Sequence, residues 1–274
     1  MSPASTRFLW RLGAAFTALA LAGCAGRPAV IPPAQWPAPL AAESPTDVLL
    51  LGEQHDAPDH QRLQRDTVQW LAERGRLAAL VLEMAERGHS TAALPRDATE
   101  AQVQAALHWQ DAAWPWAAYG PVTMAAVRAG VPVLGGNLPR SAMAAAMQET
   151  RWDEHLTATA RQQLHDALQD GHCGLLPEAR LPAMARIQIA RDASLARTAQ
   201  EAVRPGQTVL LVAGGEHVLR DRGIPTHWPT SLTSKVVSAL TDKAQAAIKT
   251  GVDMVITTAP LPPYDACAAL RPPK

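Results

Sequence analysis

Short, strongly apolar runs that end in turn residues alternate along this chain with stretches of helical periodicity. Val48-Leu49-Leu50-Leu51 and Val209-Leu210-Leu211-Val212 are the clearest runs, and both stop at or just before glycine. Apolar runs of this length, unbroken by polar positions, are the pattern of strands buried on both faces of a parallel sheet. Strands are predicted at 47–51, 78–82, 131–134, 209–212, 235–240 and 253–257. Pro132 lies within the third of these and cannot donate to a ladder, so that strand is placed at an edge. Between the first two strands, Leu63, Thr67, Trp70 and Leu71 form a helical stripe running to Gly75, with Asp56 as the N-cap and Pro58 in the first turn. Helical pattern also covers about 95–130, 141–168, 178–203 and 242–250. The fold class that follows is α/β: a mostly parallel sheet flanked by helices.

In such folds ligands bind at the carboxyl ends of the strands, and two copies of Gly-x-x-His are predicted there. Gly52-Glu53-Gln54-His55 follows the first strand and Gly214-Gly215-Glu216-His217 follows the fourth. Glycine allows a sharp turn away from the strand, leaving Glu and His on the rim. Glu83 ends the second strand, and a right-handed parallel crossover brings it to the same edge as Glu53 and His55. Gly135-Gly136-Asn137-Leu138-Pro139-Arg140 adds Asn137 and Arg140 to that rim. Gln188 and Asp192 are four apart on one helical face with Leu195, a spacing that suits orienting the rim residues and a merely structural hydrogen bond equally.

The N-terminal residues have another purpose. Arg7 and Arg11 precede an apolar stretch, Leu12 to Ala22, too short to span a bilayer comfortably, and this marks residues 1–23 as a secretory signal peptide. Leu21-Ala22-Gly23-Cys24 resembles a lipobox, which makes Cys24 the acylated residue; Ala25 and Gly26 carry no acidic retention signal, favouring the outer membrane. Residues 24–45, rich in Pro and Ala, read as the lipidated cysteine and its tether, and 46–274 as a single domain. Lys+Arg and Asp+Glu balance at 25 each, so nothing points to a nucleic-acid partner or a basic membrane-binding face. Setting Cys24 aside leaves Cys173 and Cys267, for which a disulfide is the economical reading in an oxidising compartment. A nucleophilic Cys173 is the alternative, but the adjacent His172 is poorly placed to activate it.

The motifs taken in order resemble a known family. Gly52-Glu53-Gln54-His55-Asp56 with His60 and Gln64, Leu82-Glu83-Met84, Trp116-x-x-Tyr119-x-Pro121, Asn137-x-Pro139-Arg140, His172-Cys173-Gly174, Gln188-x-x-Arg191-Asp192 and Gly214-x-x-His217 are similar to the haem-binding ChaN lipoproteins. That family belongs with the Tiki and erythromycin-esterase-like proteins, whose signature is the paired Gly-x-x-His. The resemblance implies a haem-binding lipoprotein taking part in haem and iron acquisition, with haems held in cofacial pairs by tyrosine at a dimer interface. An outer-membrane haem or iron receptor is the implied partner.

The residues themselves leave more than one chemistry open. Haem needs an apolar slot and an axial ligand, and the tyrosines available are Tyr119, set among Trp109, Trp114 and Trp116, and Tyr264. No Cys-x-x-Cys-His motif is present, so any haem is non-covalent. The rival is a metal-dependent peptidase or esterase, its divalent ion held by His55, His217, Glu53, Glu83 and Glu216. Without metal, a Glu–His pair is a general base. A non-catalytic envelope interaction protein is the third reading. His60 and His172 are as well explained by ties between loops as by a site.

Overall fold

A computed structural model describes residues 28–42, 45–241, 251–263, 265 and 267–268. The expected signal peptide, Cys24, the helix over 242–250 and Tyr264 lie outside the described residues.

Seven strands form one sheet in the order β1-β7-β6-β2-β5-β3-β4, all parallel. They are β1 (Ala29–Ile31), β2 (Val48–Glu53), β3 (Leu77–Glu86), β4 (Val133–Asn137), β5 (Thr208–Gly214), β6 (Ser234–Thr241) and β7 (Met254–Thr258). The helices are α1 (Pro58–Glu73), α2 (Glu100–Ala106), α3 (Trp116–Ala129), α4 (Met143–Gln148), α5 (Ala158–Gly171) and α6 (Leu181–Ala202). The strand period of two divides the core. Leu49 and Leu51 pack with Leu63, Leu71 and Val122 of α1 and α3, whereas Val48 and Leu50 pack with Leu195 and Ala199 of α6. Every residue of β2 and of β5 is buried, which is why their sequences show no alternation. Among the described residues no helix is long and apolar enough to cross a membrane.

The α/β class and the parallel sheet are as expected, and β4 is the edge strand that Pro132 called for. Three details differ. The helical stretch over 95–130 is broken between α2 and α3, where His108 adopts φ 47° and Pro115 precedes the new helix. Asp56 does not cap α1: Ala57 is the N-cap and makes no side-chain bond, while the Gln54 N–H donates instead to His60 Nδ1 at 3.0 Å. The segment read as a tether is partly in the fold, because β1 pairs with β7 and Trp36 is buried with its indole N–H donated to Thr67 Oγ1 at 2.8 Å. An indole buried with its one donor satisfied belongs to a core, so the domain starts ahead of residue 46.

Candidate functional site

The two Gly-x-x-His motifs ride on β2 and β5, which are adjacent and in register: Gly52 lies opposite Ala213 and Glu53 opposite Gly214. Neither Gly52 nor Gly214 takes a left-handed conformation, so the expected reason for glycine is replaced by a steric one. A Cβ on Gly52 would stand 2.5 Å from Val218 Cγ2, just past the second motif. A Cβ on Gly214 would stand 2.9 Å from His55 Nε2, in the first motif. Each glycine therefore makes room for the other motif.

Around this contact two buried carboxylates are fully engaged. Glu53, at the end of β2, accepts from Tyr119 Oη at 2.7 Å and lies 2.9 Å from His55 Nδ1 through Oε1; Oε2 accepts from Gln64 Nε2 and, at 3.5 Å, from Gln61 Nε2. Gln61 also donates to the His55 carbonyl at 3.0 Å. Glu83, in β3, accepts from the Gly214 N–H at 2.8 Å. Both histidines face it: His55 Nε2 is 3.9 Å from one oxygen and His217 Nε2 is 3.6 Å from the other. Arg191 of α6 is also 3.6 Å from Glu83, and its Nε donates to Asn137 Oδ1 at 2.9 Å. Asn137, at the end of β4, donates in turn to the Glu83 carbonyl at 2.8 Å. Asp192 Oδ1 meets His217 Nδ1 at 2.6 Å.

The charges follow from this geometry. Burial alone would lower the His217 pKa, but Asp192 and Glu83 outweigh it and raise it to about 9. Burial pushes Asp192 up to about 6 against the pull of His217. Burial likewise opposes ionisation of Glu83, yet His217, His55 and Arg191 bring it below its ordinary value. His55 is raised because Glu53 and Glu83 overcome its desolvation. With its side chain 39% exposed and its ring edge against Trp114 at 4.8 Å, His55 is the member of the group that meets solvent.

The structure thus brings together Glu53, His55, Glu83, Asn137, Arg191, Asp192 and His217. It does not place every expected residue there. Tyr119 is 1% exposed, its hydroxyl committed to Glu53, and burial first and Glu53 second raise its pKa. In that arrangement the phenol keeps its proton and donates it to Glu53. Glu216 turns to Arg222, whose Nε donates to it at 3.2 Å, and lines a separate cavity of about 220 Å³ with Gln188, His172 and the rear of His217. Arg140 is exposed at the rim of a cavity of about 260 Å³ that Glu83, Trp114 and Arg191 also line. His60 is fully buried and joins the Gln54 N–H to Thr258 Oγ1, a tie between β2, α1 and β7. His172 Nδ1 donates to the Leu168 carbonyl at 2.7 Å. Gln61 belongs to the site without having been singled out by the sequence, because a single amide in the first turn of a helix carries no periodic signal of its own. Trp114 lies with its ring edge-on to that of His55.

Among the described residues no three His, Cys, Asp or Glu groups converge as metal ligands. Glu53 and Glu83 already accept from donors. The divalent-metal alternative has no support in this geometry.

A family model described as haem-binding uptake, Tiki superfamily, ChaN, matches residues 40–227, most of the chain. Among solved structures, the chain is similar to ChaN of Campylobacter jejuni, described by its cofacial haem binding, with 23% identity and a TM-score of 0.67 over 80% of this chain and 90% of that one. A Bacillus cereus protein is similar at 14% identity and a TM-score of 0.42, over 76% of this chain and 68% of that one. No curated protein matches the chain.

Proposed function

As this chain belongs to the ChaN family of haem-binding uptake proteins in the Tiki superfamily, we propose that it binds haem and serves haem and iron acquisition at the outer membrane, anchored by a lipid on Cys24. The observation that carries this reading is the family match across 40–227, which takes in β2 to β5 and both Gly-x-x-His motifs. The fold also offers room. A groove of about 930 Å³ runs along β3 and β4 on the α6 side, within the roughly 300–1,000 Å³ range of sites that enclose ligands of drug size, whereas the cavities of about 260 and 220 Å³ beside Glu83 and His217 fall below it. Bound haem would supply iron as cargo, and the chain's own task is to shelter the porphyrin and hold its carboxylates. An outer-membrane haem or iron receptor is the partner this role requires, and a second copy of the chain is the natural companion for a haem pair.

Titration of haemin into the purified chain is the direct test: a shifted Soret band at micromolar protein supports the reading, and an unchanged spectrum removes it. Location is tested separately. A Cys24→Ser chain should leave the membrane fraction, because acylation needs the thiol; one that still sediments with membranes after detergent-free washing would sink the anchor.

A further inference from the structure

Behind His217 lies the cavity of about 220 Å³, formed where α5, α6 and the loop after β5 meet. Leu164, Ala167 and Leu168 give it an apolar wall on α5. The rest of the lining is polar. Gln188 and Asp192 stand one helical turn apart on α6, Glu216 and Arg222 come from the loop, and His172 follows the last residue of α5. Arg222 is committed: it donates to Glu216 at 3.2 Å, to Asp221 at 3.1 Å and to Gln163 at 3.5 Å.

The capacity left unspent in this lining is that of acceptors. Asp192 is 4% exposed; its Oδ1 meets His217, and its Oδ2 has no hydrogen-bond partner among the described residues. Glu216 gives Oε2 to Arg222 and leaves Oε1 without a partner there. His172 donates from Nδ1 to the Leu168 carbonyl, so its Nε2 carries the lone pair. Gln188 makes no hydrogen bond among the described residues, and its carbonyl oxygen is a fourth acceptor. A carboxylate oxygen buried as deeply as that of Asp192 costs stability unless a donor meets it. The charges agree, because His217 is shared between Asp192 and Glu83 and Arg222 between Glu216 and Asp221. Burial pushes Asp192 up to about 6 in spite of His217, the mark of a carboxylate with too little positive charge around it.

We propose that this cavity binds a small primary amine as its ammonium ion, whose three N–H donors are shared among Asp192, Glu216, Gln188 and His172 while its carbon body lies on Leu164, Ala167 and Leu168. An anion finds no seat in such a lining, since the one guanidinium in it is spent on Glu216, Asp221 and Gln163. At roughly 30 Å³ for each water, the space equals about seven waters, which limits the ligand to about seven or eight non-hydrogen atoms. The site is independent of haem: neither porphyrin nor iron enters it.

Cyclohexylamine, cyclohexanol and cyclohexanecarboxylate share one body and differ in charge, so the test titrates each into the full chain while NMR follows the Gln188 side-chain amide and the His172 ring. Two variants accompany it: Ala167→Phe, which fills the cavity from its apolar wall, and Glu216→Gln, which removes one charge. Both positions are half-exposed, so circular dichroism should show folded proteins. The amine should shift both sets of resonances and bind about tenfold or more tightly than the alcohol, the gain expected of a charge-assisted hydrogen bond, and the carboxylate should not bind. Glu216→Gln should weaken the amine by a similar factor and leave the alcohol unchanged, and Ala167→Phe should abolish binding of both. An alcohol that binds as tightly as the amine would reduce the site to an apolar hole, and a carboxylate that binds more tightly would reverse its charge. Amine binding unchanged in Ala167→Phe would place the ligand elsewhere, and no shift with millimolar amine would remove the site. Should either variant lose its fold, the ranking of the three ligands on the parent chain decides alone.

Discussion

The Tyr119 hydroxyl donates to Glu53 Oε1 at 2.7 Å across 66 positions of sequence, tying the first turn of α3 to the carboxyl end of β2. The same oxygen of Glu53 meets His55 Nδ1, so the phenol helps to fix the orientation of the imidazole that reaches solvent. Removing the hydroxyl leaves a buried carboxylate short of one donor. Tyr119→Phe should therefore lower stability by about 1–3 kcal/mol, read by urea denaturation. It should leave the Soret band of bound haem where it is. A band displaced by this substitution would return the tyrosine to the iron.

His217 gives the chain a pH dependence on the alkaline side. With a folded pKa of about 9 against an ordinary 6.5, the folded state holds a proton that the unfolded state releases between those values. Its contribution is thus complete below about pH 6.5 and is lost as pH rises through 9. Asp192, pushed up to about 6, acts with the same sign at lower pH, since its ionisation is opposed in the folded chain. From about pH 6.5 to 9 the loss should amount to at most about 3 kcal/mol, and it should vanish from the profile of His217→Gln. A melting temperature flat across that window in the parent chain would show that His217 is neutral in the fold.

How much of this was legible before the structure depends on which physical signal carried it. Buried parallel strands leave apolar runs and crossover helices leave stripes, so the sheet and the rim positions of Glu53, His55, Glu83, Asn137 and His217 follow from local pattern plus handedness. Asp192 followed from helical spacing, and Arg191 from the family resemblance alone. Partner choice did not follow. Tyr119 among three tryptophans suggests a porphyrin wall as readily as a core, and only the fold reveals that its hydroxyl is spent on Glu53. Glu216 stands in the motif yet turns to Arg222, six residues on, because the loop after β5 folds back on itself. β1 and Trp36 were missed because a three-residue edge strand in Pro-rich sequence is too short to show a period.

The reciprocal glycines make a sharper prediction than either histidine. Gly52→Ala drives a methyl into Val218 Cγ2 within the core of the α6 side, where neighbours are packed, and should cost about 1–3 kcal/mol. Gly214→Ala meets the imidazole of His55, whose side chain is 39% exposed and so has solvent on one side to yield into. It should cost less than Gly52→Ala while moving the His55 ring off Glu53, seen as a changed His55 titration by NMR. Equal destabilisation by the two substitutions, with an unchanged His55 titration, would show that the motifs do not brace one another.

The cysteines are joined, as the count suggested: Cys173 and Cys267 form a disulfide with Cα atoms 5.8 Å apart and a sequence separation of 94. Cys173 lies in the turn after α5, at φ 60° and followed by Gly174 at φ 68°, next to the His172 that lines the rear cavity behind His217. The bridge therefore pins the C-terminal segment to the helical lobe that roofs this cavity. Closing a loop of that length should stabilise the chain by roughly 3–5 kcal/mol in the chain-entropy model. For a chain of this size each kcal/mol shifts the melting temperature by roughly 2–4 °C, so Cys173→Ser with Cys267→Ser should melt about 6–20 °C lower. Limited proteolysis should then cut near 265–268 before it cuts the sheet, because the tail has lost its covalent tie while β7 keeps its ladder to β6. If the double serine chain melts within a degree of the parent and resists cleavage there, other contacts hold the tail and the disulfide adds nothing to the fold.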